Sequence, residues 1–256
     1  MQIDLNSDLG EGFGPWSMGD DAAMMRLVSS ANVACGGHAG DSETMYRTLL
    51  LAKRHGVRVG AHPGYNDREG FGRRVIPMTP DEIGRMCVAQ LGALGAIARQ
   101  AGVPVAYVKP HGALGNLAAR DGSVAAAIVA AVQRHDPDLA ILAISGTRIE
   151  EAARAAGAAV WSEVFADRGY LSSGQLVPRG QKGAMIHDPE AAADRLIAFL
   201  QSGRMPVIDG DPIRLSAQSI CVHGDSPDAV AMTRTIRARL EARGITIAPC
   251  AGPQGP

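Results

Sequence analysis

Short apolar runs that fail to alternate restrict this chain more than any other feature. Seven segments read as strands: "QIDLN" (2–6), "SANVAC" (30–35), "VRVGAH" (57–62), "PVAYVK" (104–109), "LAILAI" (139–144), "AAVWSEV" (158–164) and "QSICVH" (218–223). Several are apolar almost throughout. A strand with one wet face alternates apolar and polar residues, whereas a run that stays apolar is covered on both faces, as in a parallel sheet flanked by helices.

The segments between them carry helix boundaries. "DSETMYRTLLLAKRHG" opens at a capping Asp41 and stops at Gly56. In "TPDEIGRMCVAQLGALGAIARQAG" Thr79 is the cap, Pro80 fills the first helical position and Glu82 stands where a capping box needs it, with Gly102 at the end. "DGSVAAAIVAAVQRH", "GTRIEEAARAAG", "DPEAAADRLIAFLQSG" and "SPDAVAMTRTIRARLEARG" complete the set, the last with Ser226-Pro227-Asp228 repeating the cap-then-proline device. Strand and helix alternate about seven times with no linker. The pattern predicts one α/β domain over 1–256, either a β/α barrel or a doubly wound sheet, with "CAGPQGP" (250–256) as a frayed tail.

Composition narrows the function. A chain of 256 residues can bury roughly three quarters of its unfolded surface, so it folds without disulfides or a structural metal. A net charge of −1, with no block of like charges, argues against nucleic acid or an anionic membrane as the main partner. No apolar run reaches the roughly 18 residues of a membrane span, and the N-terminus lacks a signal peptide's apolar core. The expected location is the cytoplasm. Cys35, Cys87, Cys221 and Cys250 form no C-x-x-C pair and read as free, buried thiols.

The polar residues cluster just after the strands. Asp8 and Glu11 follow the first, His38 the second, His62 and Asp67 the third, and Lys109, His111 and Asn116 the fourth. Glu163, Asp167 and Arg168 follow the sixth, and His223 and Asp225 the last. In parallel α/β folds these carboxyl ends share one face, and active sites lie there. Four of the seven histidines have a glycine within two residues in this setting; His55 closes a helix, and His135 and His187 read as surface turns. Glycine-rich stretches such as "CGGHAG" and "PHGALG" read as loops where backbone can approach a ligand closely. The chain lacks G-x-x-x-x-G-K-[ST] and G-x-S-x-G, so neither a P-loop nor a serine-hydrolase elbow is indicated. "ISGTR" (144–148) is a strand-to-helix turn of the kind that can take an anion.

Six long segments carry a resemblance: "DLNSDLGEGFG" (4–14), "SSANVACGGHAGD" (29–41), "VGAHPGYNDREGFGRR" (59–74), "VKPHGALGN" (108–116), "EVFADRGYLSSGQLVPR" (163–179) and "SICVHGDSPDAV" (219–230). In this order, and spanning nearly the whole chain, they resemble the LamB/YcsF family of lactam-utilization proteins, which includes the A subunit of bacterial ATP-dependent 5-oxoprolinase. Gly115 stands where the family pattern usually carries tyrosine, and Ser7 where it more often has cysteine. The resemblance implies a seven-stranded β/α barrel related to the glycoside hydrolase and deacetylase barrels. It also implies conversion of 5-oxo-L-proline, ATP and water to L-glutamate, ADP and phosphate, in a complex with B and C subunits.

Opening a five-membered lactam requires an activated carbonyl, an attacking water and a proton for the leaving nitrogen. Asp8, His62, Lys109, His111 and Asp167 are the candidate catalytic residues; histidine suits both proton transfers because its ordinary pKa lies near neutrality. Glu11, His38, Arg73, Asn116, Glu163, Arg168, His223 and Asp225 are the candidate substrate contacts. Lys109 and Arg168 offer charge to a phosphate or carboxylate; the alternative for Lys109 is pairing with Asp8 or Glu163. ATP binds either here, through a loop other than a P-loop, or on one of the partner chains. His38, His62, His111 and Asp8 could hold a divalent metal of unassigned identity, although no H-x-x-x-H or H-x-H spacing is present. Two further readings stand beside the first: a self-sufficient metal-dependent amidohydrolase or deacetylase, and a non-catalytic ligand-binding subunit.

Overall fold

The computed structural model describes residues 1–224 and 228–250. In chain order the elements are β1 (Gln2–Leu9), α1 (Asp21–Met24), β2 (Ser30–Ala34), α2 (Ser42–His55), β3 (Arg58–His62), α3 (Pro80–Ala101), β4 (Val105–Val108), α4 (Gly112–Arg120), α5 (Gly122–His135), β5 (Ala140–Ile144), α6 (Arg148–Ala155), β6 (Val160–Phe165), α7 (Pro189–Ser202), β7 (Arg204–Met205), β8 (Ile213–Arg214), β9 (Ser219–Cys221), α8 (Ala229–Ala242) and β10 (Thr246–Ile247).

Seven parallel strands, β1-β2-β3-β4-β5-β6-β9, close into a barrel because β9 also pairs with β1, placing Asn6 beside Cys221 and Asp4 beside Ser219. Closure leaves no open edge, which decides for the barrel over the doubly wound sheet. β10 adds to the outer end of β1, and β7 and β8 form a separate antiparallel ribbon. The apolar faces of α2, α3 and α5 pack on β2, β3 and β5 in one core, and α7 and α8 bury Leu196, Phe199, Ile236 and Leu240 in a second.

The expected caps form. Asp41 accepts from the Thr44 backbone N–H at 2.9 Å, and Thr79 with Glu82 makes the reciprocal capping box. Ser226, Pro227 and residues 251–256 lie outside the described residues, but Cys250, expected in the frayed tail, is buried, and its carbonyl accepts from the Arg58 guanidinium. In "ISGTR" the Gly146 N–H donates to Glu150 at 2.6 Å, so an anion from within the chain takes that donor. The glycines of "PHGALG" suggest a loop, yet α4 is helical there because Ala113, Leu114 and Ala118 bury against the barrel wall.

The barrel interior is unusually polar. Asp4, Asn6 and Asp8 alternate along β1, so all three point inward. At the bottom, Asp4 accepts from Ser29 and Ser30 at 2.6 and 2.7 Å and from Ser219. Above it Asn6 donates to Glu163 and Ser219 at 2.9 and 2.7 Å, and Asn32 donates to both Asn6 and Asp8. Tyr107 crosses the barrel and donates to Asn32 at 2.6 Å. It fits because Gly60 on the neighbouring strand has no side chain; any Cβ there would run into the Tyr107 ring.

Candidate active site

The carboxyl ends of the strands open into a cavity of about 510 Å³, whose walls include Asp8, His62, Lys109, His111, Glu163 and His223. The segment 166–188 after β6 supplies its outer side through Leu171, Gln175 and Arg179. This segment is tied down from below. Arg168 donates to the Ala184 and Val177 carbonyls at 3.1 and 2.6 Å, and Arg195 of α7 donates to the Phe165, Ala166 and Arg168 carbonyls. Arg168 thus lines the cavity while two of its donors are committed to the backbone, and burial lowers its guanidinium to about 10.

Lys109 is the electrostatic centre. The residue is 5% exposed, and its ammonium lies 3.1 Å from Asp8, 3.0 Å from Glu163, 3.3 Å from Asn6 Oδ1 and 3.1 Å from Cys221 Sγ. Burial would lower its pKa, but Asp8 and then Glu163 hold it well above the usual lysine value. Burial pushes Glu163 up, whereas for Asp8 the same penalty is outweighed by His62 and Lys109, and its carboxyl lies well below its ordinary range. The pairing reading of Lys109 therefore holds for both carboxylates at once. Burial raises Cys221 as well, so it is a thiol beside the cation rather than a nucleophile.

On one side of this centre four histidine-and-carboxylate groups meet. His62 Nδ1 donates to the Lys109 carbonyl at 2.6 Å, and its Nε2 lies 3.3 Å from Asp8 and 3.0 Å from His111 Nδ1. His111 Nε2 donates to the Phe71 carbonyl at 2.9 Å. Phe71 holds a left-handed φ of 52°, a strained conformation for a side chain of its size, and thereby turns its carbonyl toward His111. His38 lies face to face on His111, with ring centroids 3.6 Å apart, and its Nε2 is 3.1 Å from Glu11. Burial first, then the neighbouring histidines, push His38 and His111 well below the usual imidazole value.

On the other side His223 donates from Nδ1 to both carboxylate oxygens of Asp167, at 2.9 and 2.8 Å, and its ring stacks on Phe165. Asp167 is held below its ordinary value; burial opposes this and His223 overcomes it.

The structure thus gathers Asp8, Glu11, His38, His62, Lys109, His111, Glu163, Asp167, Arg168 and His223 around one rim. Arg73 and Asn116 line the cavity as exposed residues, and Asp225 lies outside the described residues. In the expected metal set Glu11 replaces Asp8, because Lys109 and Asn32 draw Asp8 toward the barrel axis. Asp67 bridges to Arg74 and to the Gly70 N–H, fixing its own loop. Arg120 and Arg179 also line the cavity and escape a reading of the sequence: one reads as a helix-end cation and the other as a loop charge. Asn6 and Asn32 escape it too, although their two-residue offsets from Asp4 and Ser30 on inward-facing strands were the available signal.

These observations define a closed parallel β/α barrel with paired histidine–carboxylate groups at the carboxyl ends of its strands. Residues 3–255 match the LamB/YcsF family, and the chain belongs to that family. It is 53% identical over 249 residues to the A subunit of 5-oxoprolinase from Azorhizobium caulinodans, covering 97% of this chain and 98% of that one. It is 48% identical to the protein of the same name from Rhodopseudomonas palustris, over 98% of this chain and all of the relative. The lactam utilization protein of Thermus thermophilus superposes with a TM-score of 0.91 at 43% identity, over 97% of this chain and 99% of that chain. Among the described residues no helix is long and apolar enough to cross a membrane.

Proposed function

We propose that this chain is the A subunit of an ATP-dependent 5-oxoprolinase, opening the lactam of 5-oxo-L-proline to L-glutamate in a cytoplasmic complex with B and C subunits. The observation that carries this reading is the pair of histidine–carboxylate couples, His62 with Asp8 and His223 with Asp167, facing one cavity of small-molecule size. Relatives of nearly the same length bear that subunit's name.

An unstrained amide resists water, and ATP removes the obstacle by phosphorylating the amide oxygen. The ring nitrogen gives up its proton as the phosphorylated imidate forms. Water then adds to the ring carbon, and the carbon–nitrogen bond breaks as the nitrogen takes a proton, leaving an acyl phosphate. A second water attacks the same carbon, and phosphate leaves with the former amide oxygen. Two proton-transfer groups are needed. His62 and Asp8 accept the proton of water, and His223, oriented by Asp167, donates to the leaving nitrogen. Lys109 keeps Asp8 ionised in a buried setting, and the exposed Arg73 and Arg179 at the mouth favour an anionic substrate. The sequence has no P-loop, and we place ATP binding on the partner subunits.

The test is glutamate release from 5-oxo-L-proline and ATP by this chain, with and without the B and C subunits, beside His62→Ala and Asp167→Ala. Turnover confined to the complex and lost in both variants is expected. Robust turnover by the chain alone would favour the self-sufficient amidohydrolase, and undiminished turnover by both variants would leave only a ligand-binding role. Substrate labelled with ¹⁸O at the lactam oxygen should pass its label to phosphate; unlabelled phosphate would sink the imidate route.

A further inference from the structure

We propose that Glu11, His62 and His111 form a binding site for one divalent transition-metal ion, and that His38 orients Glu11 from outside the coordination sphere. The inference rests on the reading above and refines it, since the ion would lie at the same rim and take the Nε2 lone pair of His62, leaving Asp8 to accept the proton of water in the loaded site.

Backbone carbonyls fix the hydrogens of the two central histidines. A carbonyl oxygen only accepts. His62 Nδ1, 2.6 Å from the Lys109 carbonyl, therefore carries a hydrogen, and so does His111 Nε2, 2.9 Å from the Phe71 carbonyl. In the neutral rings the remaining nitrogens, His62 Nε2 and His111 Nδ1, both present lone pairs, and they face each other at 3.0 Å. Two acceptors at that distance repel unless a proton or a metal ion stands between them, and Asp8, 3.3 Å from the same His62 nitrogen, favours a cation there. Fixing a histidine's tautomer through a carbonyl on its far nitrogen is also how proteins prepare imidazole as a metal ligand.

The geometry suits one ion. The two rings are perpendicular, at 89°, so their lone pairs can converge instead of running side by side. Glu11 Oε1 is 3.5 Å from His111 Nδ1. Ligand atoms on a tetrahedral ion with bonds of about 2.0–2.1 Å lie about 3.3 Å apart, close to both separations. His38 belongs to the same cluster, in which all four ligand atoms lie within 4.8 Å of one another. Its ring is parallel to His111 within 1°, however, so the two cannot both aim a lone pair at one point. His38 Nε2 instead donates to Glu11 Oε1 at 3.1 Å.

Two imidazole nitrogens and a carboxylate match the donors of zinc-type sites that keep a fourth position open. His62 and His111 line the cavity whereas Glu11 and His38 do not, which puts that open position on the cavity side. An ion there would supply a Lewis acid to the lactam carbonyl or to water.

The test uses the purified full chain, stripped with a chelator and titrated with Zn²⁺ by calorimetry and with Co²⁺ by visible absorption. One ion per chain is expected, with the ligand-field bands of a low-coordinate Co²⁺ site. Glu11→Gln and His111→Ala should abolish those bands. His38→Ala should keep them with affinity about 10–100-fold weaker. His135→Ala, in a surface position, should match the parent, and circular dichroism checks that each variant folds. Glu11→Asp, which keeps the carboxylate, should retain measurable binding where Glu11→Gln does not. Absence of Zn²⁺ and Co²⁺ binding would overturn the proposal. So would bands that survive in Glu11→Gln and His111→Ala, or imidazole ¹⁵N resonances that show a proton between His62 and His111 and do not respond to Zn²⁺. None of these readouts uses 5-oxoproline, so their failure and failure of the functional assignment are separate results.

Discussion

His223 and Asp167, 56 residues apart in the chain, form a two-pronged contact in which one ring nitrogen meets both carboxylate oxygens at 2.9 and 2.8 Å. The contact fixes which nitrogen carries the hydrogen and leaves the other available for proton transfer. His223→Ala should lower kcat of the assembled complex by about 10²–10⁴-fold with a smaller change in KM, the range for loss of a general acid. Steady-state kinetics decides it; a variant altered only in KM would make His223 a binding residue.

The same contact has a pH signature. The Asp167 carboxyl is depressed in the folded chain, with burial opposing and His223 prevailing. Its contribution to stability is complete above the unfolded value of about 3.9 and is lost as the pH falls through the lower folded value, because the unfolded chain then binds the proton first. The stability gap between the parent and Asp167→Asn should shrink as the pH falls below about 4. Urea unfolding across that range measures it, and a gap that widened on acidification would contradict the assignment.

Lys109 neutralises two buried carboxylates, and removing it strands both. Lys109→Met should destabilise the chain by about 3–5 kcal/mol, as when one partner of a buried ion pair is deleted. Adding Glu163→Gln should recover part of the loss, since one of the stranded charges disappears. Chemical denaturation of the two variants tests this; equal stabilities would mean that Glu163 takes up a proton once Lys109 is gone and is not left as a stranded charge.

Gly60 and Tyr107 are a fitted pair across β3 and β4. Gly60→Ala should cost about 1–3 kcal/mol by overpacking. Tyr107→Leu should cost stability as well, through the hydrogen bond lost to Asn32, but the two changes should be less than additive because the smaller side chain vacates the space the methyl needs. Thermal and urea unfolding of the double-mutant cycle gives the coupling, and simple additivity would refute the steric account.

Much of the architecture is local information, and the sequence by itself determined it. Apolar runs such as "LAILAI", the capping box at Thr79 and Glu82, and the glycine after α2 each act within a few residues, so strands, helices and the rim carrying His38, His62, His111 and His223 could all be read along the chain. Helix α4 escaped because Gly112 and Gly115 are poor helix formers, and burial of Leu114 and Ala118 overrides them. Tertiary structure alone decided the partners. Glu11 meets His38 across 27 residues and His62 meets His111 across 49, and no spacing rule spans such separations. It also decided the protons: the carbonyls of Lys109 and Phe71 fix the tautomers of His62 and His111, and every residue type carries a carbonyl, so nothing in the sequence marks which ones will face an imidazole. Barrel closure through β9 and β1 brings these ends to one axis, and there Lys109 takes Asp8 and leaves Glu11 with the histidines.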